Sequence, residues 1–467
     1  MSGIAGVFGE SDENIVKEML EKIKHRGRQC RIVHGKNFVL GFIGDESQIY
    51  EGARITCIDG FAGIGVEKGV KAAREALRRG RMAEVYGNFA GVEAGEKKLH
   101  LFRDHFGVKP MYFAKKGNVV YFGSELKTFT SLAVKNVKLV KPGEIVTVES
   151  GKIRRQRYYL LKYREQGMEI EFALKKLKKL IEEAVQFAMP ENGRTAALLS
   201  GGLDSSCIVW FAAKKMQLET FVAGYEDGSE DVEISQKFAE FLGINHNVVH
   251  YGLKEMLEVL PDVIYHLESF DFALVRSAIP NYIVVRNTNA HNLLSGEGGD
   301  EIFAGYSYLE KVNERDLGKE LNQLLYTAHN NAFQRDDRMF SAHCVECILP
   351  FLYLPLVEFG FRIPAGYKIN NGVRKWILRN LLKIEGVPDY IVNREKRKFS
   401  DGAGSMFALE KFVESEITDR EFKKESSEAN VRIRNKEELF YYRIFLRYFP
   451  DVWAWDSLLG FTKRTER

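Results

Sequence analysis

The first third of the chain consists mainly of short apolar runs separated by turn residues. Glycine, Lys-Lys and Lys-Pro steps separate these runs, which is typical of antiparallel strands. Only residues 15–23 and 70–77 have the apolar spacing of a helix. We therefore predict a mainly antiparallel α+β domain over residues 1–160. The predicted strands are 3–8, 38–43, 55–58, 89–92, 99–102, 111–114 and 119–122.

The pattern changes after residue 160, where helical and strand-like segments alternate. A long amphipathic helix is predicted at 170–189, and the part after Ala304 is predicted to be mostly helical. Alternation at this spacing predicts parallel strands joined by crossover helices. We expect an α/β domain with a parallel sheet and a helical tail over 170–467, with the boundary in the charged stretch 160–169. The alternating segments are 195–199, 205–216, 220–224, 232–242 and 248–250.

Composition limits the class of protein. A chain of 467 residues is too long for one core and predicts two or three domains. Its net charge of +4, from 68 basic and 64 acidic residues, does not indicate a nucleic-acid-binding surface. The five scattered cysteines fit a reducing compartment. No signal peptide is recognisable and no apolar run approaches the roughly 20 residues that span a bilayer. We expect a cytoplasmic protein without membrane contact.

A glycine-rich loop at Ser200–Ser206 follows the predicted strand 195–199 and opens a helix. Its glycines let the backbone approach a phosphate, and the helix N-terminus favours an anion. Asp204 would repel that phosphate unless it binds magnesium. A Walker loop would end in Gly-Lys-Ser/Thr, which is missing here. The loop therefore predicts pyrophosphate and metal binding, and so AMP transfer from ATP; an ordinary strand–turn–helix with a serine cap is the alternative.

A second glycine-rich acidic turn, Ser295–Glu301, follows another apolar run. In a parallel sheet both turns lie at the carboxyl edge, where open α/β sheets bind ligands. Asp204 and Asp300 could then share a magnesium ion that bridges the phosphates of ATP. A solvated acidic turn is the alternative.

The two turns together resemble the synthetase domain of the asparagine synthetase family, and so do segments 265–271, 394–402 and 436–438. Segments 25–27, 103–110 and 123–127 resemble the class II glutamine amidotransferase domain. The resemblance implies an Ntn-hydrolase-like αββα domain followed by a PP-loop ATP pyrophosphatase domain. It also implies ATP and Mg²⁺ as cofactors, a small carboxylate and ammonia as substrates, and a homodimer as one oligomeric state.

The resemblance also implies roles for single residues. Glu297 would take a proton from ammonia, and Lys396 would stabilise negative charge as the acyl-adenylate forms and collapses. Arg335 and Asp271 would contact the acceptor substrate, and Asp204 and Asp300 would hold magnesium. The residues implied to bind ATP and pyrophosphate are Leu199, Ser200, Gly201, Gly202, Asp204, Ser205, Ala223, Ser295 and Gly296.

The first domain departs from the family at its nucleophile. Active members expose a cysteine after Met1, whereas this chain has Ser2, whose hydroxyl is far less ionised than a thiol. An Asn-Gly-Glu turn that supplies oxyanion donors appears here as Asp59-Gly60-Phe61. We predict that this degenerate site hydrolyses glutamine poorly or not at all.

Two further parts of the glutamine pocket are also missing. Segment 42–48 lacks a match to the family's arginine, for which Arg54 is the nearest but misaligned candidate, and segment 65–69 lacks the expected aspartate. On the acceptor side, Ile348 and Tyr353 replace an arginine and an aspartate, so aspartate as the substrate is in question.

Three functions remain open from the sequence. The first is an ATP-dependent ligase that adenylates a carboxylate, aspartate foremost, and forms an amide with free ammonia. The second is a β-lactam-synthetase-like enzyme that closes a ring, ranked lower because such relatives carry a tyrosine where this chain has Glu297. The third is a non-catalytic partner, which the retention of Asp204, Glu297, Asp300 and Lys396 disfavours.

Overall fold

The computed structural model describes residues 1–65, 67–189, 193–226, 228–395 and 406–450. Lys396 and the rest of the segment 396–405 therefore lie outside the described residues.

The N-terminal part contains two six-stranded antiparallel sheets and a small hairpin. One sheet has the order β12-β10-β11-β1-β3-β2 and the other β14-β13-β9-β8-β5-β4, while β6 pairs with β7. The strands are β1 (Gly3–Phe8), β2 (Cys30–Gly35), β3 (Phe38–Ile43), β4 (Ile49–Tyr50), β5 (Ile55–Gly60), β6 (Gly63–Ile64), β7 (Glu67–Lys68), β8 (Phe89–Ala94), β9 (Lys98–Arg103), β10 (Tyr112–Lys116), β11 (Val119–Gly123), β12 (Lys138–Leu139), β13 (Glu144–Glu149) and β14 (Lys152–Arg157).

The two sheets pack face to face, and a helix covers each outer surface. Apolar side chains from both sheets, such as Phe38 and Leu101, form the core between them. Helix α1 (Glu13–Lys22) packs on β3 through Val16 and Leu20, and α2 (Gly69–Arg79) packs on β5. This confirms the αββα architecture of the first domain.

The C-terminal part is built on a five-stranded parallel sheet with the order β17-β16-β15-β18-β19. These strands are β15 (Thr195–Leu198), β16 (Glu219–Tyr225), β17 (Asn245–Tyr251), β18 (Asn292–Leu294) and β19 (Glu346–Ile348), with a hairpin of β20 (Ile369–Asn370) and β21 (Val373–Arg374). The helices are α3 (Ile170–Ala188), α4 (Leu203–Ala213), α5 (Glu230–Leu242), α6 (Leu253–Leu267), α7 (Phe272–Arg286), α8 (Gly299–Phe303), α9 (Glu314–Thr327), α10 (Ala332–Ser341), α11 (Leu354–Gly360), α12 (Ala365–Lys368), α13 (Trp376–Ile384), α14 (Asp389–Val392), α15 (Met406–Glu416), α16 (Asp419–Glu428) and α17 (Lys436–Tyr448). The α/β class and the helical tail are thereby confirmed.

The strand order places the two glycine-rich turns side by side. β15 pairs with β18 in parallel, with Ala197 opposite Leu294, so both chains leave the sheet at the same edge. The strand order also changes direction here. The chain adds β16 and then β17 on one side of β15, and it adds β18 and β19 on the other side. Ligands of open α/β sheets bind at such a switch point.

Residues 158–169, which contain the predicted domain boundary, form neither helix nor strand. Tyr158 Oη donates to the Arg103 carbonyl at 2.6 Å, and Gln166 N donates to the Arg362 carbonyl at 2.9 Å, so the segment contacts both halves of the chain. Among the described residues, no helix combines the length and the hydropathy that a membrane crossing requires.

Candidate active site

The two glycine-rich turns approach each other so closely that side chains would not fit between them. A Cβ on Gly296 would lie 2.7 Å from Ser205 N, and one on Gly299 would lie 2.6 Å from Asp204 Oδ1. Gly201 has a φ of +68°, the left-handed conformation that glycine adopts at little cost. The glycines therefore let the loop after β15 and the loop after β18 form a single wall.

This wall lines an open cleft at the carboxyl edge of the sheet. Gly201 lies within the first loop but does not line the cleft. The predicted site residues that line it are Leu199, Ser200, Gly202, Asp204, Ser205, Ala223, Ser295, Gly296, Glu297, Asp300 and Arg335.

Lys375 links the two acids predicted to hold magnesium. Its Nζ lies 2.5 Å from Asp300 Oδ1 and also donates to Asp204 Oδ2. The lysine precedes α13, has a φ of +53°, and is almost completely buried. Sequence reasoning missed it because 171 residues separate it from Asp204 and no local motif marks it.

The two carboxylates fit a magnesium site of the kind that arrives with a nucleotide. Oxygens of Asp204 and Asp300 converge on one ammonium group, so they can converge on one metal cation. Magnesium is commonly held by one or two carboxylates together with substrate phosphates. In the described part of the chain, no group of three or more His, Cys, Asp or Glu residues could hold a metal unaided. The site therefore fits a metal that phosphate oxygens help to bind.

Two arginines tie the end of the described segment 228–395 to the first loop. Arg394 Nη1 donates to the Ser200 carbonyl at 2.9 Å, and its Nη2 lies 2.5 Å from Asp231 Oδ1. Arg379 donates to the backbone carbonyls of Val392 and Arg394. The chain immediately before Lys396 is thus held beside the first glycine-rich loop, while the role of Lys396 itself stays a prediction.

Glu297 and Arg335 form an ion pair in the part of the cleft predicted to bind the acceptor acid, which we call the acceptor half. Arg335 Nε also donates to Asp336 Oδ1 at 3.0 Å, and Ser295 Oγ donates to Asp336 Oδ2 at 2.7 Å. Burial and the nearby Glu297 raise the pKa of Asp336 to about 6, although Arg335 opposes this shift. The arginine predicted to contact the acceptor and the glutamate predicted to accept a proton therefore lie in direct contact.

Asp271 lies in a different environment from the one implied for an acceptor contact. It is fully buried, and its Oδ1 accepts from Leu274 N at 2.9 Å as the cap of α7. Its Oδ2 lies 2.5 Å from Arg434 Nη2. Asp271 is not among the residues that line the cleft, and this geometry gives it a helix-capping role.

Ser2, at the degenerate nucleophile position, is completely buried and hydrogen-bonded. Its Oγ donates to Asp59 Oδ1 at 3.2 Å, and its carbonyl accepts from Arg26 Nε at 2.7 Å. Arg26 Nη2 also lies 2.9 Å from Asp59 Oδ2. Asp59 therefore pairs with a cation here, because a buried carboxylate needs one.

The remaining departures in the first domain also have structural partners. Arg54 Nη1 lies 2.9 Å from Glu93 Oε1. In the other segment, Gly65 follows β6 with a φ of +57°, Glu67 and Lys68 form β7, and Gly69 begins α2. Tyr353 contacts the Tyr86 ring edge-on, with centroids 5.4 Å apart, so it packs between the two domains.

The sequence matches known families and relatives over most of its length. Residues 176–333 and 313–460 match the family model described as asparagine synthase, and residues 67–131 match the model of a glutamine amidotransferase domain. The chain is 30% identical over 383 residues to asparagine synthetase B (glutamine-hydrolyzing) of Escherichia coli (strain K12), which covers 76% of this chain and 68% of that one. It is 27% identical over 524 residues to asparagine synthetase (glutamine-hydrolyzing) of Sandersonia aurantiaca, which covers 98% of this chain and 99% of that one.

Among solved structures, the chain is similar to NMN synthetase from Francisella tularensis. The match covers 61% of this chain and 94% of that chain, at 12% identity and a TM-score of 0.28. That likeness is too weak to carry an argument. The family models and the relatives together show an ATP-dependent amide ligase with an attached glutamine amidotransferase domain. The family match extends this, and the chain belongs to the asparagine synthase family.

Proposed function

We propose that the enzyme adenylates a carboxylate, with aspartate as the first candidate, and converts it to an amide with free ammonia. The carboxylate oxygen attacks the α-phosphorus of ATP and pyrophosphate leaves. Ammonia then attacks the acyl carbon, gives up a proton, and AMP leaves. ATP and magnesium as cofactors, a small acid and ammonia as substrates, and a cytoplasmic location are parts of this proposal.

The observation that carries the proposal is the convergence of Asp204 and Asp300 on Lys375 beside the glycine-rich loop. When bound there, magnesium would neutralise charge on the phosphates. Lys375 is close enough to the same acids to donate to a phosphate oxygen as the pyrophosphate departs. The backbone of Gly202 and the hydroxyl of Ser205, which lies 3.2 Å from Ser200 Oγ, line the same wall.

The ion pair of Arg335 with Glu297 supports the acceptor half of the reaction. An amino-acid substrate brings a carboxylate that can compete for Arg335 and release Glu297 from the pair. Glu297 is then able to accept the proton that ammonia loses as the amide forms. Its side chain keeps 26% of its surface exposed, so ammonia can reach it from the cleft.

The surroundings of Ser2 support ammonia rather than glutamine as the nitrogen source. Ser2 Oγ donates to Asp59 instead of facing a substrate. A tetrahedral intermediate at Ser2 would place negative charge beside that carboxylate, whereas glutaminases need donors there. Arg26 and Lys109 occupy the space next to Asp59 and are themselves completely buried.

Pyrophosphate release tests the proposal. The purified chain is incubated with ATP, Mg²⁺ and a panel of amino and dicarboxylic acids, with and without ammonium, and products are identified by mass spectrometry. We expect AMP, pyrophosphate and an amide when the right acid and ammonium are both present. A cyclised product without ammonium would instead favour ring closure. No pyrophosphate release with any acid would refute the proposed function.

A further inference from the structure

We propose that buried ion pairs contributed by the N-terminal domain position α10, and through it Arg335 and Asp336 in the acceptor half of the cleft. The positioning residues are Arg26 and Lys109. This inference rests on the proposed function for its kinetic readout, but its structural readout does not depend on it.

Four consecutive charged residues, 335–338, lie on α10, and all four are buried. They face two different partners. Arg335 and Asp336 contact Glu297 and Ser295 in the cleft. Asp337 and Arg338 point instead toward the N-terminal domain. Helix α10 thus contacts the cleft and the N-terminal domain through adjacent residues.

Asp337 is held by cations from the N-terminal domain. Lys109 Nζ lies 2.9 Å from Asp337 Oδ1, and Arg26 Nη1 lies 3.3 Å from Asp337 Oδ2. Lys109 Nζ also lies 2.6 Å from Glu346 Oε1, at the first residue of β19. Both cations therefore hold elements that flank the acceptor half of the cleft.

Arg338 makes a second set of contacts across the same interface. Its Nη1 lies 2.9 Å from Glu125 Oε1 in the N-terminal domain, and its Nη2 lies 2.9 Å from Glu268 Oε2. Glu268 in turn accepts from the backbone nitrogens of Leu126 and Lys127, at 3.0 and 2.7 Å.

These groups form a charge-balanced assembly, which we call the interface cluster. Separating one member from its partners would leave a buried charge without a counter-charge, which is energetically costly. The ion pairs therefore keep the members in fixed positions. The cations are Arg26, Lys109, Lys127, Arg338 and the Met1 amine, and the carboxylates are Asp59, Glu125, Glu268, Asp337 and Glu346.

The position of α10 bears directly on the loop that carries Glu297. Asp336 follows Arg335 and precedes Asp337 on one helical turn, and it accepts from Ser295 Oγ at 2.7 Å and from Asn281 Nδ2 at 2.9 Å. A shift of Asp337 toward or away from Lys109 moves Asp336 with it, because both belong to the same rigid turn. The loop 295–297 would then lose its support.

The test uses Lys109→Met, Asp337→Asn and the double variant in the full-length chain. Glu144→Gln is the matched control, because Glu144 is a buried carboxylate of the same domain whose partner, Arg155, lies away from α10. The first readout is amide hydrogen exchange in a peptide covering 292–301. We expect exchange there to rise about tenfold in both single variants and to stay unchanged in Glu144→Gln.

The second readout is steady-state kinetics. We expect KM for the acceptor acid to rise about tenfold, with KM for ATP within about twofold of its original value. The effect of the double variant should be smaller than the sum of the two single effects, since both changes break the contact between Lys109 and Asp337. Asp337→Asn alone decides the question if Lys109→Met does not fold, because it preserves the size of the side chain.

Unchanged exchange at 292–301, together with faster exchange at 103–112, would overturn the inference, because the cluster would then stabilise only the N-terminal domain. A parallel rise in both KM values would overturn it as well. If the unsubstituted enzyme shows no activity with any acid, the proposed function fails, while the exchange data still decide the positioning of α10.

Discussion

The N-terminal site and the synthetase cleft both concentrate charged side chains, but they use them in opposite ways. Around Ser2, each buried cation lies within 4.0 Å of a carboxylate, and the side chains of Arg26, Lys109 and Asp59 have no exposed surface. In the cleft, Asp204, Glu297 and Lys375 are also paired, but they border open space. The charges around Ser2 hold the two domains together, whereas the charges of the cleft can exchange their partners for a ligand.

Two neighbouring residues on α10 show the same contrast. Burial alone would raise the pKa of Asp337, but Arg26 and Lys109 outweigh it and lower the pKa to about 2. At Asp336, burial and Glu297 outweigh Arg335 and raise the pKa to about 6. Asp337, which faces the interface, is thus firmly ionised, whereas Asp336, which faces the cleft, is protonated more readily because it is buried.

The largest expected effect is a loss of pyrophosphate release when an acid of the cleft is replaced. Asp204→Asn removes one of the two carboxylates that converge on Lys375, so pyrophosphate release should fall by about 10³-fold. The exposed Asp316→Asn on α9 is the control and should retain full activity. Retention of more than a tenth of the activity by Asp204→Asn, measured by continuous pyrophosphate detection, would contradict the assignment of the metal site.

In the interface cluster, the expected effect is a loss of folding stability. Arg26→Met leaves Asp59, Glu125 and Asp337 without a shared cation, which should lower the free energy of unfolding by about 3–5 kcal/mol. Urea denaturation measures this change. Arg31→Met, which breaks only half-exposed surface pairs, should cost less than about 1 kcal/mol. Equal losses in the two variants would show that the interface cluster is not a buried, coupled unit.

A smaller effect concerns pH. Burial lowers the pKa of His266 to about 2 and that of His343 to about 4. Both rings stay neutral in the folded protein below pH 6.5, where the unfolded chain binds protons. The stability they contribute is complete above about pH 6.5 and is lost as the pH falls toward the folded pKa values.

His266→Phe removes one of these groups, so its Tm should fall less between pH 7.5 and 5 than that of the unsubstituted protein. Asp336 acts in the opposite direction between about pH 3.8 and 6, because its folded pKa is raised, but it is common to both proteins and cancels in the comparison. Parallel Tm curves for the two proteins would contradict the assignment of a neutral His266.

The smallest effect is expected at Ser2. Ser2→Ala should leave ammonium-dependent activity within about twofold, because among the described residues Ser2 Oγ hydrogen-bonds to Asp59 and the Ile58 carbonyl, which lie outside the cleft. Ser2→Cys should not restore ammonia release from glutamine, since Asp59 remains beside the nucleophile. Detectable glutaminase activity in Ser2→Cys would show that the pocket still works and that the serine alone had silenced it.

The sequence predicted those parts of the fold that have a local signal. The loop after β15 and the turn after β18 carry glycines and acids at fixed spacing, and their proximity follows from parallel strand order. The strands β2 and β14 were missed because both are largely exposed, so they lack a clear apolar pattern. Helix α4 begins at Leu203, two residues earlier than predicted, because the loop turns directly into the helix.

The remaining parts of the site depend on contacts between distant residues. Lys375 meets Asp204 because the helix that it precedes, α13, packs against α3 and α8, and Lys109 meets Asp337 because the two domains dock. The prediction that Asp59 opposes an oxyanion considered its charge in isolation. The structure adds the cation that makes that charge tolerable, which no pattern near Asp59 reveals.

The contrast between a sealed site and an open one can be tested in a single competition experiment. The enzyme is incubated with ATP, Mg²⁺ and the acceptor acid together with ¹⁵N-ammonium and unlabelled glutamine. The mass of the amide product is then determined by mass spectrometry. We predict that the product carries ¹⁵N throughout and that glutamine alone yields no product above background. A product formed mainly with unlabelled nitrogen would contradict the central claim that only the synthetase cleft is active.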